Sequence, residues 1–355
     1  MARRELSSAQ LAVVQAVRVA LPDDAPRIVR VRVACSGGAD SLALAAGLSW
    51  LDAHEPDPLR ESTALVVDHG LQPDSGEVAA DVVGMLQRLG LDASSVRVEV
   101  SRDDPDGLEA AARKARYEVL TRGDVDLVLL GHTMDDQAET VLLGLARGSG
   151  TRSLAGMSAR WVVSMGSSGS ESPERTARGA SNRHVTLVRP LLGLRRTATR
   201  QACADWGLTP WDDPMNNDPR FTRVRARRLL PVMEDALGPG LVEALARTAA
   251  LARDDADYLD AEAALALSPS GGGPDCVRMT VGDDSALPVE TVAAAPPALQ
   301  GRIVRQWLAG QGVAELSYER TQAVLALVTD WRGQASVDLP GGVRVTRRDD
   351  ALRVT

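Results

Sequence analysis

Short runs rich in Val and Leu alternate with longer stretches of helical periodicity along most of the chain. Residues 6–21 place Leu6, Ala9, Val13, Val17 and Ala20 toward one side, which predicts an amphipathic helix. A β-rich run ends at Ser36, Gly37 and Gly38 follow, and an Ala/Leu-rich helical pattern begins by Leu42. Residues 63–67 read as a strand that closes in polar Asp68-His69-Gly70, before a helix over about 75–89. The alternation of Val96, Val98 and Val100 predicts a third strand, residues 108–120 a helix, and residues 126–130 a fourth strand running into Gly131-His132 and another helix. A strand at 184–188, a helix over about 195–206 and a turn-rich stretch at 211–220 come next. Residues 230–267 are Ala-rich and helical with a break at Gly238-Pro239-Gly240, and 275–355 mixes one or two helices with short strand signals.

Apolar strands alternating with helices imply an α/β fold whose doubly wound parallel sheet is covered on both faces. The expected organisation is an α/β domain over 1–232, a helical connector and linker over 233–270, and a small α+β domain over 271–355. The Ser/Gly- and charge-rich run at 164–183 cannot bury a core and reads as a flexible surface insertion. Ligands of such sheets sit beyond the C-terminal strand ends, where the polar stretches at Ser36, Asp68 and His132 all fall.

Hydrophobic residues make up 44% and charged residues 25% of the 355-residue chain, as in globular proteins of more than one unit. No apolar run approaches the roughly 18 residues of a membrane span. The first residues, Met-Ala-Arg-Arg-Glu-Leu-Ser-Ser, lead into no signal-type core, so a cytoplasmic location is expected. Cys35, Cys203 and Cys276 lie far apart and form neither a disulfide framework nor a Cys-x-x-Cys pair. The net charge of −8 argues mildly against nucleic-acid binding, yet only the face presented to phosphates must be positive. Arg220, Arg223, Arg225, Arg227 and Arg228 fall in one short run, with Arg195, Arg196 and Arg200 nearby. Arginine meets phosphate bidentately, and Lys114 is the only lysine.

The stretch Ser36-Gly37-Gly38-Ala39-Asp40-Ser41 combines strand, tight loop and helix N-terminus, where free N–H groups and the helix dipole favour an anion. It is no Walker A loop, which needs Gly-Lys-Ser/Thr, and its spacing is not that of a dinucleotide fingerprint. A loop aspartate such as Asp40 beside phosphates is placed to hold Mg²⁺. In Gly131-His132-Thr-Met-Asp135-Asp136-Gln-Ala-Glu139-Thr140, Asp136 and Glu139 share a helical face. Such a pair could hold Mg²⁺ with ATP or the ammonium groups of an amine substrate; the plain alternative is acids that complement the helix dipole.

The Ser-Gly-Gly-x-Asp-Ser loop resembles the pyrophosphate-binding loop of the ATP-pyrophosphatase (PP-loop) superfamily. Together with Val67-Asp68-His69-Gly70-Leu71, Ala112-Arg113-Lys114-Ala115-Arg116-Tyr117, His132 through Thr140, Arg147-Gly-Ser-Gly150, Arg189-Pro190-Leu191-Leu192 and the Asp213–Asp218 turn, it resembles the tRNA(Ile)-lysidine synthetase family over roughly residues 30–232. The stretch 339–348 resembles that family's substrate-binding region more weakly. Gln72 stands where the family often has Arg, and Val224 where it often has Asn.

The resemblance implies ligation of L-lysine to the wobble cytidine of a CAU-anticodon isoleucine tRNA, through an adenylated cytidine, with ATP as co-substrate and release of AMP and pyrophosphate. It implies ATP binding by residues 36–41, Mg²⁺ on Asp40, and lysine recognition by Asp136 and Glu139. Catalytic roles fall to Asp40, His132 and Asp136, and tRNA contacts to Arg113, Arg116 and the 220–228 arginines. A homodimer stays open. The rivals are another PP-loop tRNA-modifying enzyme such as a thiolase, which would need reactive or cluster-binding cysteines, and a non-catalytic adenine-nucleotide-binding module.

Overall fold

The computed structural model describes residues 5–22, 27–70, 72, 74–99, 107–148, 150–164, 184–213, 218–268, 286–313, 316–334 and 336–355. The proposed insertion at 164–183 and the proposed linker after 268 lie almost wholly outside these residues. The chain divides into two compact units, Met1–Ala146 with Gly156–Ala249, and Arg147–Ala155 with Ala250–Thr355. Where the sequence places a break at 232, the division falls inside one long helix, and a short segment after residue 146 joins the second unit.

The first unit is built on a six-stranded sheet: β1 (Val29–Ala34), β2 (Arg60–Asp68), β3 (Asp92–Arg97), β4 (Leu127–Leu130), β5 (Arg160–Ser164) and β6 (His184–Val188). Their order is β3-β2-β1-β4-β6-β5. All neighbours pair in parallel except β5, which runs antiparallel to β6. The sheet is therefore mostly parallel, and the antiparallel edge is a feature the strand–helix alternation does not announce.

Both faces are covered, and the strands record it residue by residue. On β4, Leu127 and Leu129 join one core with α1 (Ser8–Ala20), α2 (Ala39–His54), α3 (Ser75–Arg88) and α7 (Arg196–Asp205). Val128 and Leu130 join the opposite core with Trp161 of β5 and Leu120 of α4 (Leu108–Leu120). A strand whose odd and even residues are both buried is the physical reason its sequence is continuously apolar. The helix α1 begins where Ser7 caps it: its hydroxyl accepts from the Gln10 backbone while the Gln10 side chain reaches back to the Ser7 N–H.

The edge strand β3 occupies 92–97 rather than 96–100, and of its six residues only Ala93 is buried. At an exposed edge, pairing with β2 rather than apolar alternation sets the bounds, so the Val96–Val100 pattern points too far along the chain. After α5 (Met134–Ala146) and β6, the unit adds α8 (Thr222–Leu237) and the first part of α9 (Leu241–Leu267), the helix that holds the division between units. Ala138 of α5, Leu230 of α8 and Val242 of α9 form a further small core.

The second unit holds the four-residue helix α6 (Thr151–Leu154), the rest of α9, the helices α10 (Val289–Ala293), α11 (Pro297–Gly310) and α12 (Tyr318–Thr329), and a four-stranded antiparallel sheet. Its strands β7 (Ala286–Pro288), β8 (Val337–Asp338), β9 (Arg344–Arg348) and β10 (Ala351–Val354) run in the order β7-β10-β9-β8. Leu287, Ile303, Val304, Leu308, Val324 and Leu352 centre its core. Asp260 of α9 binds both Arg152 of α6 and Arg302 of α11, and Arg302 also donates to Thr151 at 2.7 Å, which ties the 147–155 segment into this unit. Among the described residues no helix is long and apolar enough to cross a membrane.

Candidate active site

The strand order reverses between β1, which is followed outward by β2 and β3, and β4 on its other side. Loops leaving the C-terminal ends of two such strands diverge, and a crevice opens between them. Here one loop is Cys35–Gly38 and the other is Gly131-His132.

Gly37 takes φ +84° and a Cβ there would meet Val82 Cγ2 at 2.6 Å, so the turn admits glycine alone. Ser41, in the first turn of α2, closes the loop: its Oγ accepts from the Ser36 N–H at 3.1 Å and donates to the Gly38 carbonyl at 2.9 Å. The Gly37 carbonyl is held from outside by the Trp211 N–H at 2.9 Å. Gly38 is the N-cap and supplies no side-chain cap, which leaves the first-turn N–H groups of the sixteen-residue α2 available to an anion. The phosphate-loop residues of the sequence reading thus form one continuous turn.

Gly131 lies against that turn. A Cβ added to it would sit 3.0 Å from both the N and the Cα of Ser41, which are backbone and cannot swing aside. Gly131→Ala is expected to cost about 1–3 kcal/mol of stability and to weaken ATP binding by moving the start of α2. Thermal unfolding and nucleotide titration of the variant check this; unchanged values in both would mean the two loops give way freely.

The acids gather around one guanidinium. Arg196, at the start of α7, donates Nη2 to Asp136 Oδ1 at 2.6 Å and Nη1 to Glu139 Oε1 at 3.3 Å, and its Nε lies 3.3 Å from Asp40 Oδ2. Arg227 of α8 adds its Nε to Glu139 at 2.7 Å and lies 3.6 Å from Asp136. Glu139 is 1% exposed. Thr199, one turn beyond Arg196 and fully buried, donates to the other oxygen of Asp40. Three carboxylates thus face two guanidiniums, which leaves one negative charge without a cation in this cluster.

Asp136 caps its helix and faces the arginines at once. Its Oδ2 accepts from the backbone N–H and the hydroxyl of Thr133, each at 2.8 Å, and so caps α5, while Oδ1 faces the arginines. Asp135 points elsewhere: it accepts from the Arg196 N–H at 2.7 Å and caps α7. Burial pushes the Asp136 carboxyl up, but Arg196, His132 and the Thr133 hydrogen bonds outweigh it and hold the group below the usual carboxylate range. For Asp40 burial prevails over Thr199 and Arg196, and the carboxyl is raised. Arg196 is the reverse case: burial opposes its charge, and Asp136, Glu139 and Asp40 more than restore it.

His132 is half-buried beside this cluster, and Arg189, directly after β6, donates to its Nδ1 at 3.2 Å. Burial first, then Arg189, keep the imidazole well below its ordinary value. On the other side of the phosphate loop, His69 and Arg116 line a small cavity with Ser36 and Leu65. The His69 Nδ1 is buried without a hydrogen-bond partner among the described residues. Burial, then Arg116, lower the His69 value.

The arginine candidates are held in several different ways. Arg220 is tied to Asp218 at 2.6 Å, and Arg225 to the carbonyls of Pro219 and Arg220 at 2.8 and 2.9 Å. Arg227 turns into the acidic cluster, Arg113 stacks on Tyr117 at 4.9 Å, and Arg116 lines the small cavity beside Ser36 and His69. Arg223 and Arg228 lie on α8. Arg196, Thr199 and Arg189 are the residues the sequence reading left without a site role. Their signal is positional: Arg196 and Thr199 lie three apart, one turn of the helix that follows β6. Gln72, in place of the family's Arg, donates to Asp213 at 2.7 Å, and Val224, in place of Asn, is buried on α8.

The cysteines bear on the thiolase rival. Burial pushes the Cys35 thiol up and that of Cys203 to about 12, so neither is a thiolate at neutral pH.

Among known proteins, the PP-loop domain family matches residues 13–233 and the TilS substrate binding domain family matches residues 287–353. The tRNA(Ile)-lysidine synthase of Leifsonia xyli subsp. xyli is 46% identical over 91% of this chain and 88% of its own length. That of Rhodococcus erythropolis is 45% identical over 97% and 94%. Among solved structures, the U34-tRNA thiolase NcsA from Methanococcus maripaludis superposes with a TM-score of 0.50 at 17% identity, covering 68% of this chain and 78% of its own, a likeness of fold alone. A phosphate loop at the switch point, an acidic cluster beside it and these full-length relatives agree: the chain belongs to the tRNA(Ile)-lysidine synthase family.

Proposed function

We infer that this chain uses ATP to form lysidine on an isoleucine tRNA, and that the crevice between β1 and β4 divides the work between two sites. The observation that carries the division is the meeting of the 36–41 loop with the Asp40–Asp136–Glu139 cluster around Arg196. Residues 36–41 hold the phosphates of ATP, with the α2 N-terminus facing the anion. Asp40 offers one carboxylate beside those phosphates, which fits Mg²⁺, an ion that takes one or two carboxylates and fills its remaining positions with phosphate and water. Bound there, Mg²⁺ would supply charge neutralisation at the phosphates.

In the first step the cytidine 2-oxygen bonds to the α-phosphorus of ATP and pyrophosphate leaves. In the second the amine of lysine bonds to C2, AMP leaves with the oxygen, and the amine gives up a proton. Little covalent chemistry falls to the protein, so placement and charge carry the rate. The uncompensated negative charge among Asp136, Glu139 and Asp40 is where an ammonium group of lysine fits. The wobble base must be unstacked to reach the crevice, which costs least in a single-stranded anticodon loop. The reaction is placed in the cytoplasm.

Incubation with ATP, labelled lysine and bulk tRNA tests the reading: label in the tRNA supports it, and ATP turnover with no label transferred overturns it. Arg223→Ala is expected to weaken tRNA binding several-fold and reduce the salt slope by about one, with ATP affinity unchanged. Filter binding across a salt series checks this, and an unaltered slope returns Arg223 to a local structural role.

A further inference from the structure

His132 follows β4 and Arg189 follows β6, two strands that pair in parallel. The Arg189 Nε–H meets His132 Nδ1 at 3.2 Å, and Nη1 of the same guanidinium donates to the Ser158 carbonyl at 2.6 Å. The guanidinium carbon stands 4.0 Å from the centre of the Trp161 ring, and Arg189 is only 3% exposed. Three contacts of different kinds therefore fix its orientation. A guanidinium has donors and no acceptor, so the nitrogen facing it must carry the lone pair. Nδ1 of His132 is then bare and the ring proton sits on Nε2, which has no hydrogen-bond partner among the described residues.

The charged groups that face this ring are Arg189 after β6, Asp136 on α5, and Arg116 and Arg113 on α4. Three cations and one anion, with burial, all but Asp136 act to keep the imidazole uncharged.

We propose that His132 serves the reaction as a neutral Nε2–H donor rather than as a proton acceptor, and that Arg189 is the positioning residue that sets this tautomer. The proposal rests on the lysidine-forming reading of the crevice. In both steps the α-phosphate carries negative charge on its non-bridging oxygens. It gains a bond to the cytidine oxygen as the bond to pyrophosphate breaks, then departs as AMP when the amine nitrogen bonds to C2. An oriented, partly desolvated N–H stabilises that charge without itself gaining or losing a proton. The proton released by the amine in the second step has no place on His132, because Nδ1 faces a cation and Nε2 is already protonated. It leaves to a carboxylate or to the departing phosphate.

The test uses the full chain labelled with ¹⁵N-histidine. It has four histidines, and His132→Gln identifies the His132 signals by difference. The wild type should show a protonated Nε2, a bare Nδ1, and no titration between about pH 5 and 8. Arg189→Met removes the largest charge that opposes protonation and should move the ring's titration upward, with burial still holding it below its ordinary value, and add an acidic limb to the pH profile of lysidine formation. In turnover, His132→Gln presents an amide oxygen to Arg189 and an amide N–H in place of Nε2–H, and should stay within ~10-fold of wild type, whereas His132→Ala loses ~100- to 1,000-fold. A ring protonated on Nδ1, or one that titrates in the wild type, overturns the proposal. So does a His132→Gln enzyme as inactive as His132→Ala when both keep the wild-type Tm. If Arg189→Met fails to fold, the wild-type spectrum and the two His132 variants still decide. The spectrum needs no turnover, so the expected tautomer in a protein that forms no lysidine would sink the reading of the reaction and leave the positioning of His132 standing.

Discussion

Asp40→Ala is expected to lower pyrophosphate release by at least ~100-fold, the scale seen when a preorganised charge partner of a reacting phosphate is removed. The fold should survive. Asp40 is one of three acids on Arg196, and its loss leaves Asp136 and Glu139 in place at 2.6 and 3.3 Å, so no buried guanidinium is stranded. Thr199 loses one acceptor but keeps its bond to the Arg196 carbonyl at 2.8 Å. The measurement is tRNA-dependent pyrophosphate release with thermal unfolding alongside. Near-normal release would remove Asp40 from the ATP–Mg²⁺ site. A collapse of Tm would move it from chemistry to the packing of α2 against α7.

The raised carboxyl of Asp40 follows from its place among these partners. Burial disfavours its charge while Thr199 and Arg196 favour it. Mg²⁺ held at Asp40 would add positive charge there and favour the carboxylate form.

How much of this was legible beforehand follows from what each residue is asked to do. The first helix could be read because Val13, Val17 and Ala20 bury one stripe and Ser7 with Gln10 makes a local cap. Both signals lie within a few residues of each other. The 36–41 loop was equally local, as were Asp136 and Glu139 one turn apart. The edge strands were not. The fold asks β3 to pair with β2 and β5 to close against β6, and neither demand leaves a strong apolar pattern in Asp92–Arg97 or Arg160–Ser164.

Charge was the least legible property of all. Arg196 and Arg227 look in sequence like two more cations of a phosphate-binding run. Their partners, Asp40, Asp136 and Glu139, lie between 57 and 156 residues away. Composition tells where arginine is dense, but only tertiary structure tells which guanidinium is already spoken for. The hub of the acidic cluster was therefore in view among the arginines and could not be separated from them.

Glu139→Gln is expected to raise the KM for lysine by about 10- to 100-fold, the loss of one charge-assisted hydrogen bond worth ~1.5–3 kcal/mol, with little change in the KM for ATP. Glu139 binds two guanidiniums, Arg196 at 3.3 Å and Arg227 at 2.7 Å. Arg196 is fixed by Asp40 and Asp136 as well, whereas among the described residues Arg227 has only Asp136 besides, at 3.6 Å, and its side chain is 38% exposed. Lysine entering the cluster, as proposed, would therefore compete with Arg227 more readily than with Arg196. Arg227→Ala should accordingly lower the KM for lysine, opposite in sign to Glu139→Gln, although both changes break the same ion pair. A loss of fold or of general packing would move the two variants in the same direction. Adenylation of tRNA without lysine is the control, and it should persist in both. If it collapses in Glu139→Gln, the acid belongs to the ATP–Mg²⁺ site and the amine binds elsewhere. If Arg227→Ala instead weakens tRNA binding and leaves the lysine KM untouched, Arg227 is a phosphate contact that rests on Glu139 only until tRNA arrives.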